Sequence, residues 1–185
     1  MSHPPRLALI ATLLLGVAAC ASSKPDRPPD HNRIQEGHAP TPFTATELRR
    51  GCRSGRVVRL RLWTAGKPPA IQVWRFFDAS PTDARIEMTV TDESGAELGA
   101  PKLVTMLWSE LQGHASFPDA ATEIETVQRA TPIGHFECWM YTVRRQDGVV
   151  ERYWFAKSLP GPPIEYGREE GGELVARQTM IESKY

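Results

Sequence analysis

The chain has 185 residues, and its 22 Lys and Arg balance its 22 Asp and Glu, so the formal net charge at neutral pH is zero. This length suits one domain with a short additional segment, because a single hydrophobic core is usually built from about 100 to 200 residues. Acidic and basic residues are mixed along the chain without a basic face, so we do not expect nucleic acid as a partner.

The first twenty residues have the pattern of an export signal. A short n-region with Arg6 precedes the apolar run Leu7 to Ala19, which ends at Cys20. A run of about thirteen apolar residues is shorter than the roughly twenty that a membrane-spanning helix needs, so a cleaved signal peptide is the better interpretation.

The tetrapeptide Val17-Ala18-Ala19-Cys20 resembles the lipobox of bacterial lipoproteins. The resemblance implies a signal peptide over residues 1–19 and lipidation of Cys20 with acyl chains such as palmitate, so that the membrane becomes a partner through the lipid anchor. In Gram-negative families an Asp after that cysteine retains the protein in the inner membrane. Ala21 stands here, which implies a cell-envelope protein in the outer membrane, facing the periplasm.

The segment from Cys20 to Pro42 is rich in Pro, Ser, Asp, Arg and His, and Ile34 is its only large aliphatic residue. Such a composition buries too little apolar surface to fold by itself. We therefore expect a disordered proline-rich tether over residues 20–42, able to reach about 60 Å, and a domain over residues 43–185.

The domain begins with a short helix over Ala45–Arg50, with Gly51 placed for a left-handed C-cap. The pattern then changes to period two, as in Arg56 to Trp63, where Val58, Leu60 and Leu62 alternate with Arg59 and Arg61. Similar runs predict about eight further strands, at Ile71–Phe77, Arg85–Thr91, Lys102–Trp108, Ile124–Ala130, Phe136–Arg144, Val149–Phe155, Ile164–Gly167 and Leu174–Glu182.

Turn signals separate these runs, for example Asp92-Glu93-Ser94-Gly95 and Gln146-Asp147-Gly148. Only Leu107–Gln112, ending at Gly113, predicts another helical turn. The expected fold is mostly β: an antiparallel meander of about nine strands that forms a curved sheet, a half-barrel or an open barrel, with little helix.

The residues Thr131-Pro132-Ile133-Gly134-His135-Phe136, Tyr153-Trp154-Phe155-Ala156 and Leu159-Pro160-Gly161-Pro162-Pro163 carry a resemblance. They look like the C-terminal hairpins of LolA/LolB-like and related uncharacterised envelope proteins. The resemblance implies a β half-barrel, and in the carrier families that half-barrel holds acyl chains beneath a helical lid.

Two cysteines remain besides Cys20, and an oxidising envelope favours a disulfide between Cys52 and Cys138. The alternative is two buried free thiols, because Cys138 lies in an apolar strand.

The sequence predicts no catalytic, metal or cofactor site, and the protein is not expected to be an enzyme. His135 and Cys138 point to opposite faces of a strand, so only His135 and Glu137 could share an ion, and His114 is expected in a loop. The segment Gly51–Gly55 lacks the pattern of a nucleophile elbow, and Gly66-Lys67 is not a phosphate loop.

The aromatic residues are the remaining candidates for a site. Trp139 and Tyr141 share one side of their strand, opposite Phe136, Cys138 and Met140, so both faces are apolar. These two residues and Trp154 are the candidate ligand-binding residues.

Three functions stay open for this domain. The first is a non-enzymatic binding or scaffolding module for an envelope protein. The second is a carrier of a lipid or other apolar ligand in a concave aromatic face, and the third is a hydrolase-like enzyme.

Overall fold

The computed structural model describes residues 27–185, so the predicted signal peptide and Cys20 lie outside the described residues. This part of the chain forms nine strands and two α-helices. The strands are β1 (Val57–Thr64), β2 (Ala70–Ala79), β3 (Asp83–Asp92), β4 (Lys102–Leu107), β5 (Thr122–Thr131), β6 (Gly134–Arg144), β7 (Val150–Ala156), β8 (Glu165–Glu170) and β9 (Glu173–Lys184). The helices are α1 (Ala45–Gly51) and α2 (Trp108–Gly113), and short 3-10 turns lie at Asp30–Asn32 and Asp119–Ala121.

The strands form one curved, open, antiparallel sheet in the order β4-β3-β2-β1-β9-β8-β7-β6-β5. Two meanders, β1 to β4 and β5 to β9, are joined where β1 pairs with β9. The predicted fold class and meander are confirmed. The sheet has two edges, β4 and β5, and the helices and the N-terminal segment cover part of one face.

The strands form where the sequence alternates between apolar and polar side chains. In β1, Val58 and Leu60 are fully buried while Arg59 and Arg61 are exposed. Leu60 lies opposite Met180 of β9, which is also fully buried, so this pair fills the core where the two meanders meet. The predicted turn before β7 is also present, with Gly148 at φ 82°.

Helix α1 begins with a capping box in which Thr44 and Glu47 bond to each other's backbone N–H groups. Its end differs from the prediction, because Gly51 is the last helical residue and its φ is not positive. A Cβ at position 51 would lie 2.6 Å from the carbonyl oxygen of Pro160. Glycine is therefore required here by the close approach of another backbone segment.

Residues 27–43, called the strap below, pack against the sheet and α2. Pro28, Pro40 and Thr41 are almost fully buried. The Ala39 N–H donates to the Phe117 carbonyl at 2.8 Å, and the Asp119 N–H donates to the Gly37 carbonyl at 2.8 Å. The structure differs here from the expected tether over 20–42 and domain start at Phe43: the domain includes the strap from its first described residues.

The disulfide expected between Cys52 and Cys138 is absent, and both residues are buried free thiols. Cys52 follows α1 on the covered side of the sheet, where it lines a cavity with Phe155. Cys138 occupies the middle of β6 and alternates with Trp139 and Tyr141, so it points to the other face. The two sulfurs are thus separated by the sheet, and the alternative of two buried thiols is the observed one.

Within residues 27–185, neither helix has the length and apolar character that a membrane crossing requires.

Candidate functional site

A cavity of about 190 Å³ lies between the sheet and its helical cover. The strap and α1 contribute Pro42, Phe43 and Leu48, and α2 contributes Leu111 and Gln112. The remaining wall comes from β2, β7 and three loops: Cys52, Trp74, Phe76, His114, Ala115, Phe117, Tyr153, Phe155, Gly161, Pro162 and Pro163. His114 is exposed while Ala115 is buried, so the segment after α2 lies at the opening of the cavity.

The floor of the cavity is a cluster of aromatic rings. Phe155 lies edge-on to Phe43, with ring centroids 6.3 Å apart, and Phe117 stacks on Tyr153 at 4.8 Å. Such ring pairs add to the stability gained by burial. The cavity therefore has an aromatic floor, to which β7 contributes Tyr153 and Phe155.

A buried polar network holds the cover in place. Gln112 on α2 donates to the Asn32 carbonyl at 3.2 Å and to the Thr41 hydroxyl at 3.0 Å, and it accepts from the Ala45 N–H at 2.9 Å. Asn32 also donates to the Thr41 carbonyl at 3.0 Å. One glutamine side chain thus joins α2 to the strap and to the first residue of α1.

Two of the three predicted binding residues lie beneath this cover. Tyr141 is fully buried and donates its hydroxyl to the Pro40 carbonyl at 2.7 Å. Burial raises the pKa of Tyr141 far above its ordinary value. Trp139 packs edge-on to Phe43 at 6.1 Å, with the Lys157 ammonium 5.3 Å from its ring. Neither residue lines the cavity itself. The strand residues of its floor are Tyr153 and Phe155, on the neighbouring strand β7.

Trp154 does not share this site. It alternates with Tyr153 and Phe155 and so points to the opposite face, where the guanidinium of Arg129 lies 4.8 Å from its ring. Arg129 also binds Glu165 through two contacts of 2.5 and 2.6 Å, and Arg177 reaches the same carboxylate at 2.5 Å. The Glu165 hydrogen bond raises the pKa of Arg129. This arrangement is an ion-pair cluster on the face away from the cover.

The residues considered for metal binding are not brought together. His135 and Glu137 are exposed on β6. Within residues 27–185, no group of three or more His, Cys, Asp or Glu side chains is placed so that it could hold a metal ion.

Three buried side-chain polar atoms have no hydrogen-bond partner among the described residues. They are the side-chain oxygen of Asn32 and the indole N–H groups of Trp74 and Trp139. Trp74 also lines the cavity. A buried N–H without an acceptor costs free energy, and the N–H of Trp74 is closed off from the space of the cavity as well as from solvent.

Sequence reasoning missed Phe43, Phe117, Tyr153 and Phe155 as the residues around the cavity. A signal for the last two was present. The turn at Gln146-Asp147-Gly148 sets the register that pairs Tyr141 with Tyr153 and Trp139 with Phe155. Phe43 and Phe117 have no such signal, because they lie in segments without regular periodicity.

No family model matches the sequence, and no curated protein matches it. Among solved structures, the chain is similar to MucB, with a TM-score of 0.51 and 12% identity over 75% of this chain and 56% of MucB. MucB in complex with MucA(peri) gives the same TM-score at 13% identity, and so does the Pseudomonas aeruginosa MucA/MucB complex at 12%. The chain spans about half the length of MucB, 53% to 56% of it, and the likeness shows a shared β-rich fold.

Proposed function

We propose that this chain is a lipid-anchored protein of the bacterial envelope whose covered, curved sheet is a non-enzymatic binding module for a protein partner. The observation that carries the proposal is the small apolar cavity between the aromatic floor and the helical cover, open beside His114. Its size, opening and lining are those of a socket for one large apolar side chain.

The volume of the cavity favours a side chain over a whole lipid. Pockets that enclose drug-sized ligands usually hold about 300 to 1,000 Å³, whereas an apolar cavity of roughly 150 Å³ accepts a single benzene ring. At about 190 Å³, this cavity has room for one ring or one branched side chain.

The likeness to MucB also supports a protein-binding function. MucB shares the fold over about half of its length, and its solved structures include complexes with MucA. The resemblance of Val17-Ala18-Ala19-Cys20 to a lipobox supports both the envelope location and the lipid anchor.

The binding part of the proposal is tested by photo-crosslinking in living bacteria. A benzophenone amino acid at His114 samples the opening of the cavity, and the same group at Glu173, in the exposed β8–β9 hairpin, is the control. We expect one discrete protein adduct from position 114 and none of that mass from position 173.

A cavity-filling variant shows whether that adduct depends on the socket. Ala115→Leu places a larger side chain in the cavity lining and should remove the adduct, whereas Ala120→Leu, at an exposed position, should retain it. Persistence of the adduct in Ala115→Leu would contradict the socket. A lipid that copurifies stoichiometrically in native mass spectrometry would replace the protein-binding proposal with the carrier.

The anchoring part is tested separately by metabolic labelling with an alkyne analogue of palmitate. Cys20→Ser should lose the label and leave the membrane fraction, and Cys138→Ser should keep both. A label that survives in Cys20→Ser would overturn the lipid anchor without affecting the cavity.

A further inference from the structure

The two edges of the sheet differ in the side chains that they expose. Edge strand β5 carries exposed Glu123 and Glu125. Edge strand β4 begins with exposed Lys102 and then carries Leu103, which is 56% exposed, and Leu107, which is 45% exposed. Charged side chains on an edge strand discourage pairing with other strands, whereas an open apolar edge invites it.

The backbone of β4 is available for such pairing. In an antiparallel ladder, alternate residues direct both their N–H and their C=O to the same side. Trp108, directly after β4, donates towards β3, to the Thr82 carbonyl at 3.1 Å, while the Leu107 N–H instead donates to the Glu110 carboxylate at 2.9 Å. By this alternation, Leu103 and Thr105 direct their backbone groups away from β3.

The sequence of β4 is complementary to itself. In an antiparallel pair centred on Thr105, Leu103 of each copy faces Leu107 of the other, and Val104 faces Met106. The leucine pairs lie on one face and the Val–Met pairs on the other, and residues 103–107 carry no charge that would face its like. A two-fold axis through an edge strand needs this kind of symmetry in side-chain size and polarity.

We infer that β4 is the interface through which two copies of this chain associate, edge to edge and antiparallel about Thr105, to join their sheets. The occupant is a second copy because the self-complementary register pairs each apolar side chain of the edge with another and pairs the free backbone N–H and C=O of Thr105 with those of its own copy. This interface lies at the end of the sheet and concerns a surface distinct from the cavity.

The arrangement is tested by cross-linking the mature full chain in bacterial membranes. Thr105→Cys puts one thiol on the axis, opposite its own copy at a Cα separation of about 5.5 Å, which suits a disulfide. Gln128→Cys, exposed on the other edge strand, is the matched control, and the unsubstituted chain measures cross-linking through the native cysteines. Mild oxidation should give a disulfide-linked dimer from position 105 only.

A charge-exchange series tests the register. Leu103→Lys should raise the dimer dissociation constant about tenfold or more, since two lysines would then face leucines across the interface. Adding Leu107→Glu in the same chain should recover most of that loss, because each lysine then faces a glutamate of the other copy. The thermal unfolding midpoint of the monomer checks that these exposed substitutions leave the fold intact.

Equal cross-linking from positions 105 and 128, or no recovery in the double variant of a folded chain, would overturn the inference. A cross-link from position 105 to a different envelope protein would also overturn it, and would assign the β4 edge to an extended segment of that partner.

Discussion

Arg56 is fully buried and forms its hydrogen bonds with neutral groups. Its guanidinium donates to the Gly51 carbonyl at 2.6 Å, the Pro160 carbonyl at 2.5 Å and the Ser183 hydroxyl at 3.2 Å. It therefore joins the end of α1 to the β7–β8 loop and to β9. Gly161, at φ 150°, leaves room for it, since a Cβ there would lie 2.7 Å from the guanidinium.

We expect Arg56→Met to lower the free energy of unfolding by about 2 to 4 kcal/mol, because it removes the guanidinium donor to the Pro160 carbonyl and leaves the Gly51 carbonyl with the Tyr185 hydroxyl as its donor. Arg56→Lys should also destabilise the protein, since an ammonium cannot reproduce the planar fork. Urea unfolding measures both, with Arg53→Met, at an exposed position, as the control. A midpoint for Arg56→Met equal to that of the control would contradict this role.

Buried tyrosines and thiols make the stability fall at alkaline pH. Burial raises the pKa of Tyr166 to about 12 and that of Cys138 to about 11, and it raises the pKa of Tyr141 further. In the unfolded chain these groups lose their protons near pH 8.5 for Cys and 10 for Tyr, roughly their ordinary values. Their contribution is complete below those values and is lost as pH rises through the folded pKa values, so stability should decline between about pH 9 and 12.

Tyr141→Phe tests this dependence. It removes a titrating hydroxyl and one hydrogen bond to Pro40, so it should cost about 1 kcal/mol at neutral pH and make the alkaline decline shallower. Thermal unfolding from pH 7 to pH 11 measures both effects, and Tyr185→Phe, at a residue that is 68% exposed, is the control. A decline as steep as that of the unsubstituted chain would show that Tyr141 does not contribute.

The two thiols give a prediction that distinguishes the observed state from a disulfide. Protein purified without reductant should show no thiol reaction with a labelling reagent at pH 8 while folded, because Cys52 and Cys138 are buried. It should show two reacting thiols per chain after denaturation, in a Cys20→Ser background. No reaction after denaturation would mean that the cysteines are paired and that β6 is repositioned.

At the scale of elements, period-two runs were enough to predict all nine strands, and the alternation of burial is clearest in β1, where Val58 and Leu60 are buried and the arginines between and after them are exposed. The strap could not be predicted in that way. Before Phe43 its only large apolar residue is Ile34, and it is held by prolines, by backbone hydrogen bonds to Phe117 and by Gln112. These partners are remote in sequence, so nothing in residues 27–43 alone indicates that they exist.

The cover of the site therefore depends on Gln112. We expect Gln112→Ala to release the strap, because it removes the donors to Asn32 and Thr41 and the acceptor for Ala45. Limited trypsin digestion should then cut after Arg33 at least about tenfold faster, since proteolysis follows the population of the locally open state. Gln146→Ala, at an exposed turn, should leave this rate unchanged. Equal rates in the two variants would show that the strap is held by its prolines and backbone bonds alone.

At the scale of the whole molecule, the pairing of β1 with β9 joins the two meanders, and it brings together residues far apart in sequence. Alternation could not predict this pairing, because it specifies which face a residue occupies but not which strand lies beside it. The same limit explains why the binding residues were only partly predicted. Alternation places Trp139 and Tyr141 on the correct face, but the position of the cavity depends on how far the strap and α2 extend over that face.

The docked strap shortens the connection to the proposed lipid anchor. Only six residues, 21–26, separate Cys20 from the first described residue. Fully extended, this connection spans at most about 25 Å, well below the reach of about 60 Å expected for a tether over residues 20–42. If Cys20 carries the anchor, the strap side of the domain is held beside the bilayer, and a partner must present its binding segment within that distance.

This orientation predicts the effect of a longer connection. An insertion of about 12 Gly and Ser residues between Asp26 and Arg27 adds a flexible segment with a root-mean-square span of roughly 20 Å. Energy transfer from a dye at position 36, on the exposed part of the strap, to acceptors in the lipid headgroups of proteoliposomes should then decrease. The same insertion between Gly171 and Gly172, in the β8–β9 hairpin, should leave the transfer unchanged. If the Asp26 insertion also left it unchanged, the domain would be bound to the bilayer by a surface of its own, and the short connection would not determine its position.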